Sequence, residues 1–413
     1  MADLTRRELL ASVGGMALAT GLPPMAPAPR PALPVASPHR ADFAIPPDIT
    51  FINSAYTHPL PREAVDAVNS HLARRSVPGV TMPDSGELSA AVKGHFGALI
   101  NAKPNELSFI PNTSTGENLV VAGLGIPGSG GNVVTDGLHF DGAILHLQAL
   151  QRQGLDLRIA MPKDGRIEMA DLEKLVDRNT RLIEVSQVAM YNGFEHDLKA
   201  VSDLAHAHGA YVYADIIQGA GAVPLDVRAT GVDFCACASF KWLMADFGLG
   251  LLYVREELLD RVMRRTTFGY VSAPDIVTHF LPYDPPATAP FSWDLGSSAS
   301  SHFEVGSKAL GPLAALGASL PYLRELGVAN IQAWRQPLLA RLRAEMPRLG
   351  LRPVTPAGTT SPLISFVFDE NKRVAERLAA KKINARVGKN YLRLSPSVFN
   401  DMADIERVLA ALS

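Results

Sequence analysis

Lys241 lies in the run Ala236-Cys237-Ala238-Ser239-Phe240-Lys241-Trp242-Leu243, which carries no other charge. An amine in such surroundings either snorkels out from the end of the run or is held by desolvation with a depressed pKa. A depressed amine is what condensation with a carbonyl requires. Asp215 closes the apolar stretch Tyr211–Ala214, with Gln218 three residues on. A carboxylate at the carboxyl end of a parallel strand is placed where ligands bind in such sheets; helix capping is the other common job of Asp. Thr113 and Ser114 fall between the strand pattern Leu107–Ile110 and a helical pattern from Gly116 to Leu124. Hydroxyls beside free N–H groups at a helix start form a phosphate site, and here too an N-cap is the competing use.

The elements around these residues alternate. Strand patterns at Asn132–Thr135, Leu157–Ala160, Thr180–Val185, Tyr211–Ala214 and Leu249–Val254 are separated by helical patterns at Gly142–Gln153, Met169–Val176 and Leu198–His208. That alternation predicts an α/β fold, a doubly wound, mostly parallel sheet with helices on both faces. Beyond Phe268 a Pro-rich loop (Pro282, Pro285, Pro286, Pro290) leads to a long helix from about Glu304 to Glu325 and a second from Ile331 to Met346. The strand, helix, strand and helix that follow read as a smaller α+β C-terminal domain. The expected organisation is a large domain over 41–275 and a small one over 276–413.

At 413 residues, with 47% hydrophobic and 19% charged residues, the chain is too apolar to be a disordered solvating polymer. Lys+Arg number 39 against 41 Asp+Glu, and no long basic run occurs, which argues against a nucleic-acid partner. Cys235 and Cys237 are too close for an easy disulfide and too few for a closed zinc site. The eleven histidines show no metal-ligand spacing, so no metal is expected.

Residues 1–40 read as an address. Arg6-Arg7 precede a short, Gly- and Ala-rich apolar run from Leu9 to about Leu22, and a Pro-rich linker follows. This is the pattern of a twin-arginine export signal. The run is too short to span a bilayer, which takes about 20 residues. The expectation is recognition by the twin-arginine machinery, a periplasmic or secreted location, and no stable membrane insertion after cleavage.

Four segments in order carry a family resemblance: Tyr213-Ala214-Asp215-Ile216-Ile217-Gln218-Gly219, Ser239-Phe240-Lys241-Trp242-Leu243, Phe303-Glu304-Val305-Gly306-Ser307 and Leu392-Arg393-Leu394-Ser395-Pro396-Ser397-Val398-Phe399-Asn400. From Phe51 to the C-terminus the chain resembles the class V aminotransferases, the group holding cysteine desulfurases and isopenicillin N epimerase. The resemblance implies a fold-type I transferase dependent on pyridoxal 5'-phosphate and acting on the amine of an amino acid or peptide-derived metabolite. It implies that Lys241 carries the cofactor and later moves the α-proton, that Asp215 sits against the pyridine nitrogen, and that Gln218 bonds the ring 3-oxygen. Thr113, Ser114 and Ser239 would bind the phosphate. Ser307 would reach the phosphate of the other subunit, making a homodimer with shared sites. Phe140 would stack on the ring, with His139 as second choice, and Arg393 would clamp a substrate carboxylate.

Three departures from the desulfurases stand out. The small-domain stretch Ile383–Asn390 lacks their sulfur-accepting cysteine. Met190 stands where they carry asparagine, leaving Tyr191 or Asn192 to supply that contact, and Phe240 stands where they carry histidine. These move the expectation to transamination, with epimerisation, racemisation or a lyase reaction as alternatives. A non-catalytic periplasmic binder on the same fold is the non-enzyme alternative.

Overall fold

Short apolar runs become strands, and all but the edge strand over 156–160 are buried on both faces, as a parallel sheet covered by helices demands. In the computed structural model these are β1 (Leu107–Ile110), β2 (Asn132–Asp136), β3 (Asp156–Ala160), β4 (Thr180–Ser186), β5 (Tyr211–Asp215), β6 (Phe234–Ala238) and β7 (Gly250–Val254). They make one seven-stranded sheet in the order β1-β7-β6-β5-β4-β2-β3. β7 alone runs against the common strand direction, antiparallel to both β1 and β6. Residues 39–78, 85–278, 291–369 and 373–413 are described. The twin-arginine segment and the loop Pro282–Pro290 lie outside them.

The period-two alternation of each strand splits its side chains between two cores. Leu182, Tyr213 and Phe234 face α3 (Thr113–Gly123) and α4 (Asp141–Gln151). Ile183, Val185, Val212 and Ala214 face the opposite way, against α5 (Leu198–Ala207). Two further helices, α1 (Arg62–Arg75) and α2 (Ser85–Ile100), pack on α6 (Leu310–Leu326). Leu313, Leu316, Leu320 and Leu323 of α6 belong to the same core as α5. The large core thus reaches past the boundary that composition places at 275.

A second core starts at α7 (Val328–Glu345), where Leu338, Leu339 and Leu342 meet a four-stranded antiparallel sheet. That sheet runs β8-β9-β11-β10, from β8 (Arg352–Pro353), β9 (Ile364–Val367), β10 (Arg386–Val387) and β11 (Tyr391–Leu394). The helices α8 (Val374–Ala380) and α9 (Met402–Leu412) complete it. Asp401 caps α9 by accepting the Asp404 N–H at 3.0 Å. Near the start of the described chain, Thr50–Phe51 pair in parallel with Ile383–Asn384 and tie this unit to the large one.

The helix expected from Glu304 begins only at Leu310. Glu304 is pinned where the chain leaves a short helix, Ala299–Phe303. Its carboxylate meets Lys93 at 2.8 Å and Lys308 at 3.1 Å, and accepts the Phe109 N–H at 3.1 Å. Buried charge pairing overrides local helical propensity at this point.

Candidate active site

The carboxyl ends of five parallel strands converge on one cleft of about 360 Å³. That size is within the range of small-molecule sites. Asp215 ends β5, Thr113 and Ser114 follow β1, Phe140 follows β2, Met190 follows β4, and Lys241 follows β6. Arg393 of β11 and Arg386 of β10 close the cleft from the small unit.

Asp215 and Lys241 face each other across this space. Burial pushes the Asp215 carboxyl up to about 6, against the opposing pull of the Ile217 N–H at 2.9 Å and the Lys241 charge. Burial brings the Lys241 amine down to about 8; Asp215 resists this and Arg393 adds to it. Phe240 supplies part of the apolar wall, with Lys241 Nζ 5.8 Å from its ring centroid and Phe247 stacked on it at 4.2 Å. Of the two readings of Lys241, the desolvated amine is the one the fold adopts.

The start of α3 resolves a second ambiguity. Its N-cap is Asn112, whose side chain accepts the Thr115 N–H at 2.9 Å. The Thr113 and Ser114 hydroxyls are therefore not consumed in capping, and both residues line the cleft. Thr113 Oγ1 accepts the Ala238 N–H at 2.9 Å, which locks the helix start to β6 and leaves the hydroxyl proton to donate.

Phe140 lines the cleft, whereas His139 is fully buried beside it, with Nδ1 2.8 Å from Ser186 Oγ. Burial pushes His139 down to about 3, so its imidazole is neutral.

Two expected cofactor contacts, Ser239 and Gln218, do not line the cleft. Ser239 is buried, its hydroxyl donating to the Leu249 carbonyl at 2.7 Å. Gln218 donates from Nε2 to the Ala55 carbonyl and accepts the Trp242 indole N–H, both at 3.0 Å, so it braces the Lys241 loop. The Arg335 guanidinium lies over the Trp242 ring at 5.3 Å. Ser307 is exposed, its hydroxyl 3.2 Å from that of Tyr270, outside the cleft of its own chain. Asn192, offered as a substitute for the missing asparagine, is spent on the Gly165 carbonyl and the Phe194 N–H. Tyr191 is bonded to Asp141. Met190 keeps its place in the cleft wall.

Arg393 donates from Nη1 to the Met190 carbonyl at 2.8 Å, while its buried Nε has no partner among the described residues. Arg386 is its direct cross-strand neighbour and lies 5.5 Å over the Tyr56 ring. Sequence reasoning missed Arg386 and Tyr56. The signal for Arg386 was the short hairpin between 386 and 393, which sets the two arginines opposite one another. Both cysteines of the chain lie in β6, buried, with burial pushing their thiols up; neither lines the cleft.

The residues present fit pyridoxal phosphate: a desolvated amine, a carboxylate opposite it, an apolar ring wall in Phe140, and two hydroxyls at a helix N-terminus. Comparison with known proteins agrees. The model of the family "Aminotransferase class-V" matches residues 51–408. An uncharacterized aminotransferase of Bacillus subtilis, YcbU, is 25% identical over 86% of this chain and 90% of its own. A cysteine desulfurase of Klebsiella pneumoniae is 32% identical over 60% of this chain and 59% of its own. Among solved structures, the apo cysteine desulfurase of Thermococcus onnurineus NA1 superposes with a TM-score of 0.77 at 24% identity, covering 90% of this chain and 95% of that one. The fold is that of the fold-type I enzymes, and the chain belongs to the class V aminotransferase family of pyridoxal-phosphate proteins.

Proposed function

We propose that the protein is a pyridoxal-phosphate enzyme acting on the amino group of an amino acid or amino-acid-derived metabolite, with transamination as its reaction. The observation that carries this reading is the Lys241–Asp215 pair in a cleft closed by Arg393 and Arg386. The bound cofactor supplies an electron sink conjugated to the substrate's Cα. Lys241, with a pKa of about 8, is partly neutral near physiological pH, as an amine that must both hold a carbonyl and take a proton from Cα should be. Asp215, ionised above about pH 6, would stabilise a proton on the ring nitrogen of the bound cofactor. Phe140 and Phe240 line the cleft and would exclude water from a ring bound there. Arg393 offers a planar fork to a substrate carboxylate, and Arg386 adds a second positive charge, which suits an acidic substrate. Sulfur transfer is disfavoured, because no cysteine lines the cleft and both thiols are buried behind the sheet.

Two further parts of the reading follow from the chain's surface and its start. Tyr270, whose hydroxyl lies 3.2 Å from that of Ser307, and Val305, two residues before Ser307, are exposed by about half their surface, apolar surface that a second copy would cover in a homodimer. Arg6-Arg7 ahead of an apolar run supports twin-arginine export to the periplasm. The test of function incubates purified holoprotein with a panel of amino acids and 2-oxo acids, following the cofactor band and the products. One amine donor should bleach the band and yield its oxo acid. A band that no amine alters would overturn the proposal.

A further inference from the structure

Behind Asp215, on the same face of the sheet, lies a polar cluster that the proposed chemistry does not use. Glu184 of β4 sits opposite Tyr213 of β5, just as Ser186 sits opposite Asp215. Glu117 of α3 and His139 reach toward it from the helical layer. Glu184 and His139 are fully buried and Glu117 nearly so. One ligand atom from each of Glu117, His139 and Glu184 lies within 4.8 Å of the other two. Both Glu184 carboxylate oxygens and His139 Nε2 are buried without a hydrogen-bond partner among the described residues. No lysine or arginine among the described residues pairs with either glutamate. Two adjacent buried carboxylates, one of them (Glu184) with no partner among the described residues, are costly.

The groups around the cluster are arranged as a metal site's supports are. His139 Nδ1 pairs with Ser186 Oγ at 2.8 Å and Nε2 has no partner among the described residues, so with Nδ1–H as the donor Nε2 keeps a free lone pair for an ion. Glu117 Oε1 is held by His146 Nδ1 at 2.8 Å. A ligating histidine whose other nitrogen is tied, and a ligating carboxylate itself hydrogen-bonded, are the usual outer partners of a bound ion.

We propose that Glu117, His139 and Glu184 bind a divalent transition-metal ion of the zinc or manganese type. Three atoms no more than 4.8 Å apart lie within about 2.8 Å of a common centre, against about 2.1 Å in a zinc site, so each moves inward by about 0.7 Å. The two carboxylates neutralise the ion and the neutral imidazole completes a mixed N/O set, which suits zinc, manganese or iron. The ion sits beneath the cofactor pocket and ties α3 to β4 and to the segment that follows β2.

The test measures metal content by inductively coupled plasma mass spectrometry. Because the site is closed, the holoprotein is prepared in two ways: from cells grown with added Zn²⁺ or Mn²⁺, and by refolding with each ion. About one ion per chain is expected, lost in Glu184→Gln and in His139→Asn while circular dichroism and the cofactor band persist. An exposed-surface variant, Lys163→Ala, should keep it. Metal well below one per chain from both preparations would overturn the proposal, leaving a carboxyl pair that shares a proton. So would an ion retained in both variants.

Discussion

The pH behaviour of Lys241 offers a quantitative test of the cleft's electrostatics. Burial brings this amine from an ordinary 10.5 to about 8. At pH 7.5 it is then about one-quarter neutral, where an ordinary lysine is about one-thousandth neutral, a gain of about 240-fold in the reactive form. Cofactor-stripped protein can be methylated with dilute formaldehyde and cyanoborohydride over roughly pH 6–10, since only the neutral amine condenses. Mass spectrometry of the Lys241 peptide reads the extent, with peptides bearing exposed lysines as internal reference. Half-maximal modification should fall near pH 8. Asp215→Asn should lower that midpoint further, because the carboxylate's pull on the charged amine is gone. Arg393→Gln should raise it, because a repelling charge is gone. A midpoint at or above about pH 10 would refute the desolvation argument, and an upward shift in Asp215→Asn would refute the pairing.

Three further outcomes are expected. Asp215 is held near 6, above its ordinary 3.8, so its ionisation weakens the fold progressively as pH rises through that window, and fully above it. Asp215→Asn should therefore stabilise the cofactor-free protein by about 1–3 kcal/mol at pH 7.5, with the gain vanishing toward pH 4 in urea titrations; a loss at pH 7.5 would contradict this. Arg393→Gln should cut kcat/KM for the carboxylate-bearing substrate about 10- to 150-fold, the loss expected for a charged hydrogen bond, while cofactor absorbance stays unchanged; unaltered kinetics would remove Arg393 from substrate binding. Trp242→Phe leaves Gln218 Oε1 without its 3.0 Å donor and should cost about 1–3 kcal/mol in thermal or urea unfolding. A neutral result there would mean that Gln218 turns toward the cleft.

The sheet and most of its strands were legible because buried parallel strands are short apolar runs with nothing else to be. Lys241 and Asp215 stood out for a related reason, being isolated charges at the ends of such runs. Phe140 and Arg393 rested on their motifs. What the sequence concealed was commitment. Whether Gln218 and Ser239 face a ligand depends on Trp242 and on the Leu249 carbonyl, which only the fold brings near. Arg386 becomes a neighbour of Arg393 only through strand register. The cluster of Glu117, His139 and Glu184 joins residues up to 67 positions apart (117 to 184), so no ligand spacing announced it. The helix that periodicity favoured from Glu304 starts only at Leu310, because Glu304 is held by Lys93, more than two hundred residues earlier in the chain.

The central claim is that Lys241 is the covalent seat of pyridoxal phosphate. The most direct measurement is the absorbance spectrum of the purified protein before and after borohydride reduction, with Lys241→Ala prepared alongside. The account predicts a visible cofactor band in the parent protein, a reduced cofactor fixed to the Lys241 peptide after borohydride, and no such label in the variant. No band after adding pyridoxal phosphate, or a label on any other lysine, would contradict it.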